Sequence, residues 1–368
     1  MQTRLSPEFA GTPEGLEAEA ILRKCVHCGF CTATCPSGVQ YGHLLDIGRK
    51  IVDAKVPRPT PEKALRWALK EGLPSPLFAP AMKMGQAVRG LLPAALQAKV
   101  PAKQEAGAWP TRSHARKVLM LAGCVQPSMM PNINAATARV LDAAGIQTVI
   151  APKAGCCGAV KFHLNDQDGG RAEMRANIDA WWPMIASGEV EALVMNASGC
   201  GVTVREYGHF LKDEPAYAAK AQRIGELTRD LSELLPAIVA ALRQSRPERV
   251  PGPPAGDAGA GRHLAFHPPC SLQHGQQLRG AVEQHLAAFG FKVQVARSES
   301  HLCCGSAGTY SVLNPDLSHQ LRDRKLGHLG ELEPDVIVSA NIGCITHLQS
   351  GTPTPVRHWV EVLDEHLR

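Results

Sequence analysis

The triplet Cys-Cys-Gly occurs twice in this chain, at Cys156-Cys157-Gly158 and at Cys303-Cys304-Gly305, 147 positions apart. One cysteine precedes each pair, Cys124 or Cys270, and one follows it, Cys200 or Cys344. These landmarks repeat at offsets of 146, 147 and 144 residues, so eight of the twelve cysteines belong to an internal duplication. Adjacent cysteines bridge each other poorly, because the small ring strains the intervening peptide. They can instead turn both sulfurs into one concave space and share a soft metal, for which thiolates are favoured ligands. Four thiols per copy match a tetrahedral zinc or a [4Fe–4S] cluster. Reduced thiols packed as small hydrophobes would explain neither the pairing nor the duplication.

The other four cysteines form a different pattern. Cys25-Val-His-Cys28-Gly-Phe-Cys31-Thr-Ala-Thr-Cys35-Pro36 is a C-x2-C-x2-C-x3-C-P run, the ligand spacing of bacterial ferredoxins. Such a loop wraps three thiolates around one face of an iron–sulfur cube. Gly29 removes a side chain where backbone amides approach, and Pro36 turns the chain away. A zinc knuckle would leave the third spacing unexplained. His27, between the ligands, reads as solvated. The fourth cysteine of such a run ordinarily serves a second cluster, yet no second run follows.

Around these motifs the chain divides into a ferredoxin-like segment (1–58), a helical connector (59–114), a first cysteine-bearing unit (115–249), a Pro/Gly/Ala-rich linker (250–262) and a second unit (263–368). Helices are expected over Ala18–Lys24, Tyr41–Val56 with Leu44, Leu45, Ile47 and Ile51 as its apolar face, and Thr60–Glu71 capped at Thr60. Leu73–Val100 reads as a connector packed on its own chain or on a partner subunit. Membrane-surface contact through Met82, Met84, Leu91 and Leu92 is the alternative. From Lys117 the period changes to short apolar runs between helical stretches, the pattern of buried parallel strands. Strands are expected at Val118–Leu121, Thr148–Ile150, Ala192–Met195, His263–Phe266, Phe291–Ala296 and Val336–Val338, with helix over Lys220–Leu242. Each cysteine landmark then falls just beyond the carboxyl end of a strand, where open parallel sheets bind ligands. The fold class expected is α/β, two repeated parallel-sheet units behind a small, mainly helical, truncated ferredoxin-like region.

Composition excludes several partners. A net charge of +5 over 368 residues and 5% aromatics, with no interleaved basic run, argue against nucleic acid. Met1–Glu19 has no signal-peptide core, and no window reaches membrane-spanning length. Many cysteines without an export signal point to reducing cytosol and metal ligation, with peripheral attachment to the inner membrane face compatible with this reading.

The whole chain resembles the iron–sulfur subunits of glycolate oxidase, and its duplicated triplets resemble their cysteine-rich CCG domains, which heterodisulfide reductase and anaerobic glycerol-3-phosphate dehydrogenase share. The resemblance is carried by Lys24–Pro36, Tyr41-Gly-His-Leu-Leu-Asp-Ile-Gly-Arg49, Ala135–Leu141, Asn177-Ile-Asp-Ala-Trp-Trp-Pro183 and Ser300–Tyr310. It implies that FAD-bearing partner subunits oxidise glycolate to glyoxylate, while this chain passes electrons through [4Fe–4S] clusters towards a membrane acceptor, quinone above all. All twelve cysteines become ligand candidates, and no residue here is expected to be catalytic on its own. A CCG-type thiol–disulfide reductase and a zinc-binding scaffold are the competing readings.

Two departures from the family pattern stand out. The heterodisulfide reductase motif ends in Cys-x-x-Cys, whereas Cys200 is followed by Gly201, Val202 and Thr203, and Cys344 by Ile345, Thr346 and His347. A fifth thiolate is thus missing from both copies, with His347 as a substitute ligand or a packing residue. In addition, Cys25–Pro36 resembles the first of the family's two ferredoxin runs, while Ser37-Gly38-Val39 onward resembles the stretch beyond the second run. The segment between is expected to be missing. Cys35 then either bends back to complete one exposed cluster or leaves that site labile, the latter being expected.

Overall fold

The computed structural model describes residues 12–97, 99–253 and 262–368. Residues 254–261 of the expected linker and residues 1–11 of the stretch read for a signal peptide lie outside them. Two four-stranded sheets, parallel throughout, carry the duplication. The first is ordered β2-β1-β3-β4, from β1 (Arg116–Met120), β2 (Ile146–Val149), β3 (Ala192–Met195) and β4 (Thr228–Asp230). The second repeats the order as β6-β5-β7-β8, from β5 (His263–His267), β6 (Lys292–Val295), β7 (Val336–Ser339) and β8 (Val356–His358). The central strands are apolar runs buried on both faces, as in Val118-Leu119-Met120 and Val336-Ile337-Val338, and helices cover the sheets.

β4 was not expected. Its residues fall inside the helix read over Lys220–Leu242, which is split into Ala218–Leu227 and Leu235–Ser245. Thr228–Asp230 pairs with Leu193–Met195, and Asp230 with Glu233 closes a capping box that restarts the helical chain. Sheet pairing overrides a helical pattern here. His358 and Glu361 build the corresponding box after β8.

The two units share one hydrophobic core. Val118, Ile133, Val140 and Leu141 of the first belong to the same cluster as Leu264, Phe266, Trp359 and Leu363 of the second. Helix Pro131–Ala143 lies against helix Trp359–Leu367, where Arg139 makes a bidentate ion pair with Asp364 at 2.8 and 2.9 Å. His358 Nε2 meets the Asn196 carbonyl oxygen at 2.9 Å.

The N-terminal third is helical, comprising Pro13–Lys24, Phe30–Thr34, Tyr41–Lys55, Thr60–Gly72, Phe78–Ala87 and two short turns. Thr60 is inside its helix rather than capping it; Pro59 occupies the cap. The apolar face expected on Tyr41–Lys55 is also corrected. Leu45, Asp46, Gly48 and Val52 are buried, while Leu44 and Ile47 are 39% and 55% exposed. Polar anchors turn that helix: Arg49 donates to the carbonyls of Leu22 and Cys25, and Asp46 meets His163 at 3.0 Å. Every large hydrophobic side chain found exposed among the described residues lies between Ile21 and Trp109. In the connector Met82 is buried, whereas Met84 and Leu91 face solvent.

Candidate metal centres

In the first unit Cys124 follows β1, Cys156-Cys157 follow β2, and Cys200 lies in the first turn of helix Ser198–Arg205 after β3. The four thiols form one hydrogen-bonded chain. Cys124 and Cys157 donate to Cys156, and Cys157 also engages Cys200. Those bonds, first that from Cys124, bring Cys156 down to about 3, with the Gly158 N–H 3.5 Å from its sulfur helping. The hydrogen bond to the neighbouring sulfur, and then burial, push the Cys124 and Cys157 thiols well up. The set therefore favours a shared negative charge, which a cation would compensate. Glu173 lies beside Cys156. Burial, then the Cys156 charge, raises its carboxyl to about 8, with Lys161 opposing.

The glycine of each triplet has a steric origin. Gly158 and Gly305 sit at φ +91° and +89°, a region open mainly to glycine. A Cβ on Gly158 would stand 2.7 Å from the Gly170 carbonyl, and one on Gly305 would overlap the Ser318 carbonyl. The glycine lets a helix pack on the turn that presents the paired sulfurs.

The second unit repeats this arrangement with different neighbours. Cys270 Sγ is 3.8 Å from Cys303 Sγ, and Gly305 N–H is 3.3 Å from the same sulfur. Cys303, Cys304 and Cys344 are buried. Hydrogen bonding from Cys304, with His267 beside it, holds Cys344 at about 6 against the effect of burial. Lys325, 1% exposed, donates from Nζ to the carbonyls of Glu299 and Ser300, and its charge acts on Cys304, Cys303 and Cys270. His347, the substitute ligand considered from sequence, is engaged elsewhere. Its Nε2 lies 2.9 Å from Ser318 Oγ and 3.2 Å from the Ser318 carbonyl, so it is a packing residue. His267 was missed because it precedes Cys270 by three residues, on the opposite side of the motif from where a fifth donor was sought.

The two centres share a wall. Ser198 N–H donates to the Ala340 carbonyl at 3.0 Å, Ser198 Oγ meets Ser271 Oγ at 2.8 Å, and Gln276 Nε2 donates to the Ser198 carbonyl at 3.2 Å.

The N-terminal run docks across both units, with its first three cysteines towards the second centre. Burial raises the Cys28 thiol, and Cys303, Cys25 and Cys31 add to the effect while the Phe30 N–H opposes it. Phe30 stacks on His301 with centroids 4.7 Å apart and meets His274 edge-on at 5.2 Å. Tyr310 Oη donates to the Lys24 carbonyl at 2.7 Å. The N–H groups of Val39 and then Ser37 lower the Cys35 thiol. His27 is not solvated as expected. It takes φ +55°, packs edge-on against His163, and faces Asp46 at 3.9 Å; burial brings it to about 4. Toward the first unit, His43 stacks on His209 and pairs with Glu206, and Lys70 pairs with Asp166. The conspicuous Tyr41–Arg49 stretch is thus a docking strip, a role its sequence spacing does not reveal.

Comparison with known proteins agrees with this architecture. The family model of the cysteine-rich CCG domain matches twice, at residues 118–205 and 264–349. The chain is 45% identical to the glycolate oxidase iron–sulfur subunit of Escherichia coli, covering 100% of this chain and 99% of that protein. That alignment spans 422 positions against the 368 residues here, so the relative carries residues without a counterpart in this chain. A probable glycolate oxidase iron–sulfur subunit of Bacillus subtilis is 27% identical over 91% of this chain and 78% of its own. Lactate utilization protein A of Bacillus licheniformis is 26% identical over 67% of this chain and 99% of its own. With full-length identity at this level and both CCG units in place, the chain belongs to the family of glycolate oxidase iron–sulfur subunits.

Proposed function

We propose that this chain is the electron-transfer subunit of a glycolate dehydrogenase complex, relaying electrons from a flavin subunit that converts glycolate to glyoxylate towards a membrane acceptor, with quinone as the acceptor of choice. The observation that carries this reading is the sequence of thiol groups through the molecule. Cys28 lies beside the second centre, and the Ser198 loop joins the second centre to the first. One centre would be held by Cys124, Cys156, Cys157 and Cys200, another by Cys270, Cys303, Cys304 and Cys344, and a third by Cys25, Cys28 and Cys31. Iron–sulfur clusters bound there would supply one-electron redox chemistry. The protein contributes thiolates, N–H groups directed at sulfur from Gly158 and Gly305, and apolar walls that keep water from the buried pairs.

The N-terminal site is the weak member. The longer E. coli alignment supports loss of the segment that elsewhere provides the second run, which leaves Cys35 without the second cluster that the fourth cysteine of such a run serves. A labile cluster and impaired electron flow are the consequence. Exposed side chains such as Trp67, Leu77, Met84 and Leu91 support burial of the N-terminal third against flavin-bearing partners or the membrane face. No helix among the described residues is long and apolar enough to cross a membrane, which suits attachment through such contacts on the cytoplasmic side.

The test is anaerobic purification followed by iron, sulfide and zinc analysis with EPR, alone and with the flavin subunits. Iron and sulfide in both CCG units, and glycolate oxidation only when the flavin subunits are added, are expected. Stoichiometric zinc without sulfide would overturn the relay, and dye-linked glycolate oxidation by the isolated chain would overturn the division of labour. Restoring the missing segment should raise iron content and electron transfer; a full, stable cluster on Cys25–Cys35 with normal turnover would contradict the labile site.

A further inference from the structure

β5 ends at His267, whose side chain is 1% exposed and whose Nδ1 and Nε2 both lack a hydrogen-bond partner. Buried polar atoms are nearly always satisfied, and each unmet group costs on the order of 1–3 kcal/mol. The group that acts on this ring is the Cys344 sulfur, itself one of the thiols of the second centre, so the ring faces that centre. Its donor nitrogen and the sulfurs of Cys304 and Cys344 all lie within 4.8 Å of one another. The backbone leaves little freedom of aim. The His267 carbonyl accepts from Ser339 Oγ at 3.0 Å, and Pro268-Pro269 lead directly to Cys270.

We propose that His267 is a nitrogen ligand of the centre formed by Cys270, Cys303, Cys304 and Cys344, giving it a fifth protein donor. This rests on the reading that the second unit holds an iron–sulfur cluster, and it assigns that cluster's ligand set. The family motif that ends in Cys-x-x-Cys gains its fifth donor after the last cysteine; here the position is taken by a residue before the first. Neutral imidazole adds a donor without adding charge to four buried thiols. Five donors exceed both the tetrahedral set of structural zinc and the four thiolates of an ordinary cubane. The same position in the first unit, three residues before Cys124, is Leu121, which is buried and has no donor atom. The two units thus hold one mixed nitrogen–sulfur centre and one with sulfur donors alone at the matching positions. Histidine in place of thiolate raises cluster potentials, so the second centre has a higher potential than it would with a cysteine as fifth donor.

The test uses the full chain, produced anaerobically with natural or 15N-labelled histidine and studied by pulsed EPR. A directly coordinated histidine nitrogen, shifting with the isotope, is expected in the unmodified chain and in His347→Ala, and is expected to be lost in His267→Ala. Should His267→Ala lose the metal altogether, His267→Cys should keep it, without nitrogen coupling and at a lower potential. A loaded second centre without histidine coupling, or coupling that survives His267→Ala, overturns the assignment. Zinc in the second unit would sink the relay instead, and zinc-edge absorption would then read the nitrogen neighbour and its loss in His267→Ala by the same criterion. If Cys303→Ser changes neither iron nor zinc content, both readings fall.

Discussion

The two CCG units have the same strand order, the same four cysteine landmarks and the same left-handed glycine, yet their thiols stand in different electrostatic surroundings. Around the first pair the ionisable neighbour is an acid, Glu173, whose carboxyl is held up at about 8, and the amide of Asn177 donates to the Cys156 carbonyl at 2.7 Å. Around the second, the buried cation Lys325 acts on Cys304, Cys303 and Cys270, and His267 adds an imidazole. The N-terminal run meets this second centre as well. Duplication preserved the scaffold that presents sulfur, while the residues that tune its charge diverged. Neighbouring charge and hydrogen bonds set cluster potential, so clusters bound at the two sites would differ in potential.

The harshest way to break the comparison is to remove one pair at a time. Cys303→Ser/Cys304→Ser replaces soft thiolates with poor hydroxyl ligands and should abolish metal at the second centre while leaving the first loaded; Cys156→Ser/Cys157→Ser should do the reverse. Metal analysis of the two variants decides it, and unchanged content in either would show that the pairs do not act as units.

The shared core makes a second, opposite prediction, that the units do not melt separately. Trp359 is fully buried in the cluster that joins them, so Trp359→Ala should cost about 3–5 kcal/mol. One cooperative transition should shift as a whole in denaturant. A biphasic curve in which only part of the signal moves would separate the units.

A third prediction concerns the equivalent helix caps, Asp230 and His358. Burial brings His358 to about 3, so it stays neutral when folded but takes a proton near 6.5 when unfolded. Its contribution is complete above pH 6.5 and falls by about 2 kcal/mol by pH 5. Burial raises Asp230 to about 6, so the folded state binds a proton that the unfolded chain does not, and stability from this group increases as pH falls from 6 towards 3.8. His358→Asn should flatten the acid loss of stability and Asp230→Asn should steepen it. Midpoints measured at pH 7 and pH 5 that move identically in both variants would refute the opposition.

The smallest effect sharpens the electrostatic contrast. Lys325→Met removes a buried positive charge beside Cys303 and Cys304 and should lower the second centre's potential by an interaction on the order of 1–2 kcal/mol, roughly 40–90 mV for one electron. The first centre should not move in the same redox titration, and a common shift would show that the two are not electrostatically independent.

Much of the fold was legible in the sequence because strand burial and cysteine spacing are local signals. Continuous apolar runs gave six of the eight strands nearly at their observed bounds, and the repeated triplet placed eight thiols at the carboxyl ends of the sheets. Each sheet's last strand was harder. β4 and β8 are three residues long, and their pairing depends on β3 and β7 rather than on any pattern of their own. Tyr41–Lys55 misled for a related reason: its buried face is set by Asp46 and Arg49 finding partners in distant segments, which apolar periodicity does not register.

The amino-acid sequence by itself determined the duplication, the parallel-sheet class and the cysteines available to bind metal, since each follows from repeated spacing or from a run of residues that must be buried. Only the tertiary structure decided which nitrogen joins those sulfurs. His347 lies three residues beyond Cys344 and turns to Ser318, whereas His267, 77 positions before Cys344, is brought to it by the pairing of β5 with β7. Proximity in a sheet is fixed by register between strands far apart in the chain, so the donor set is a property of the assembled fold.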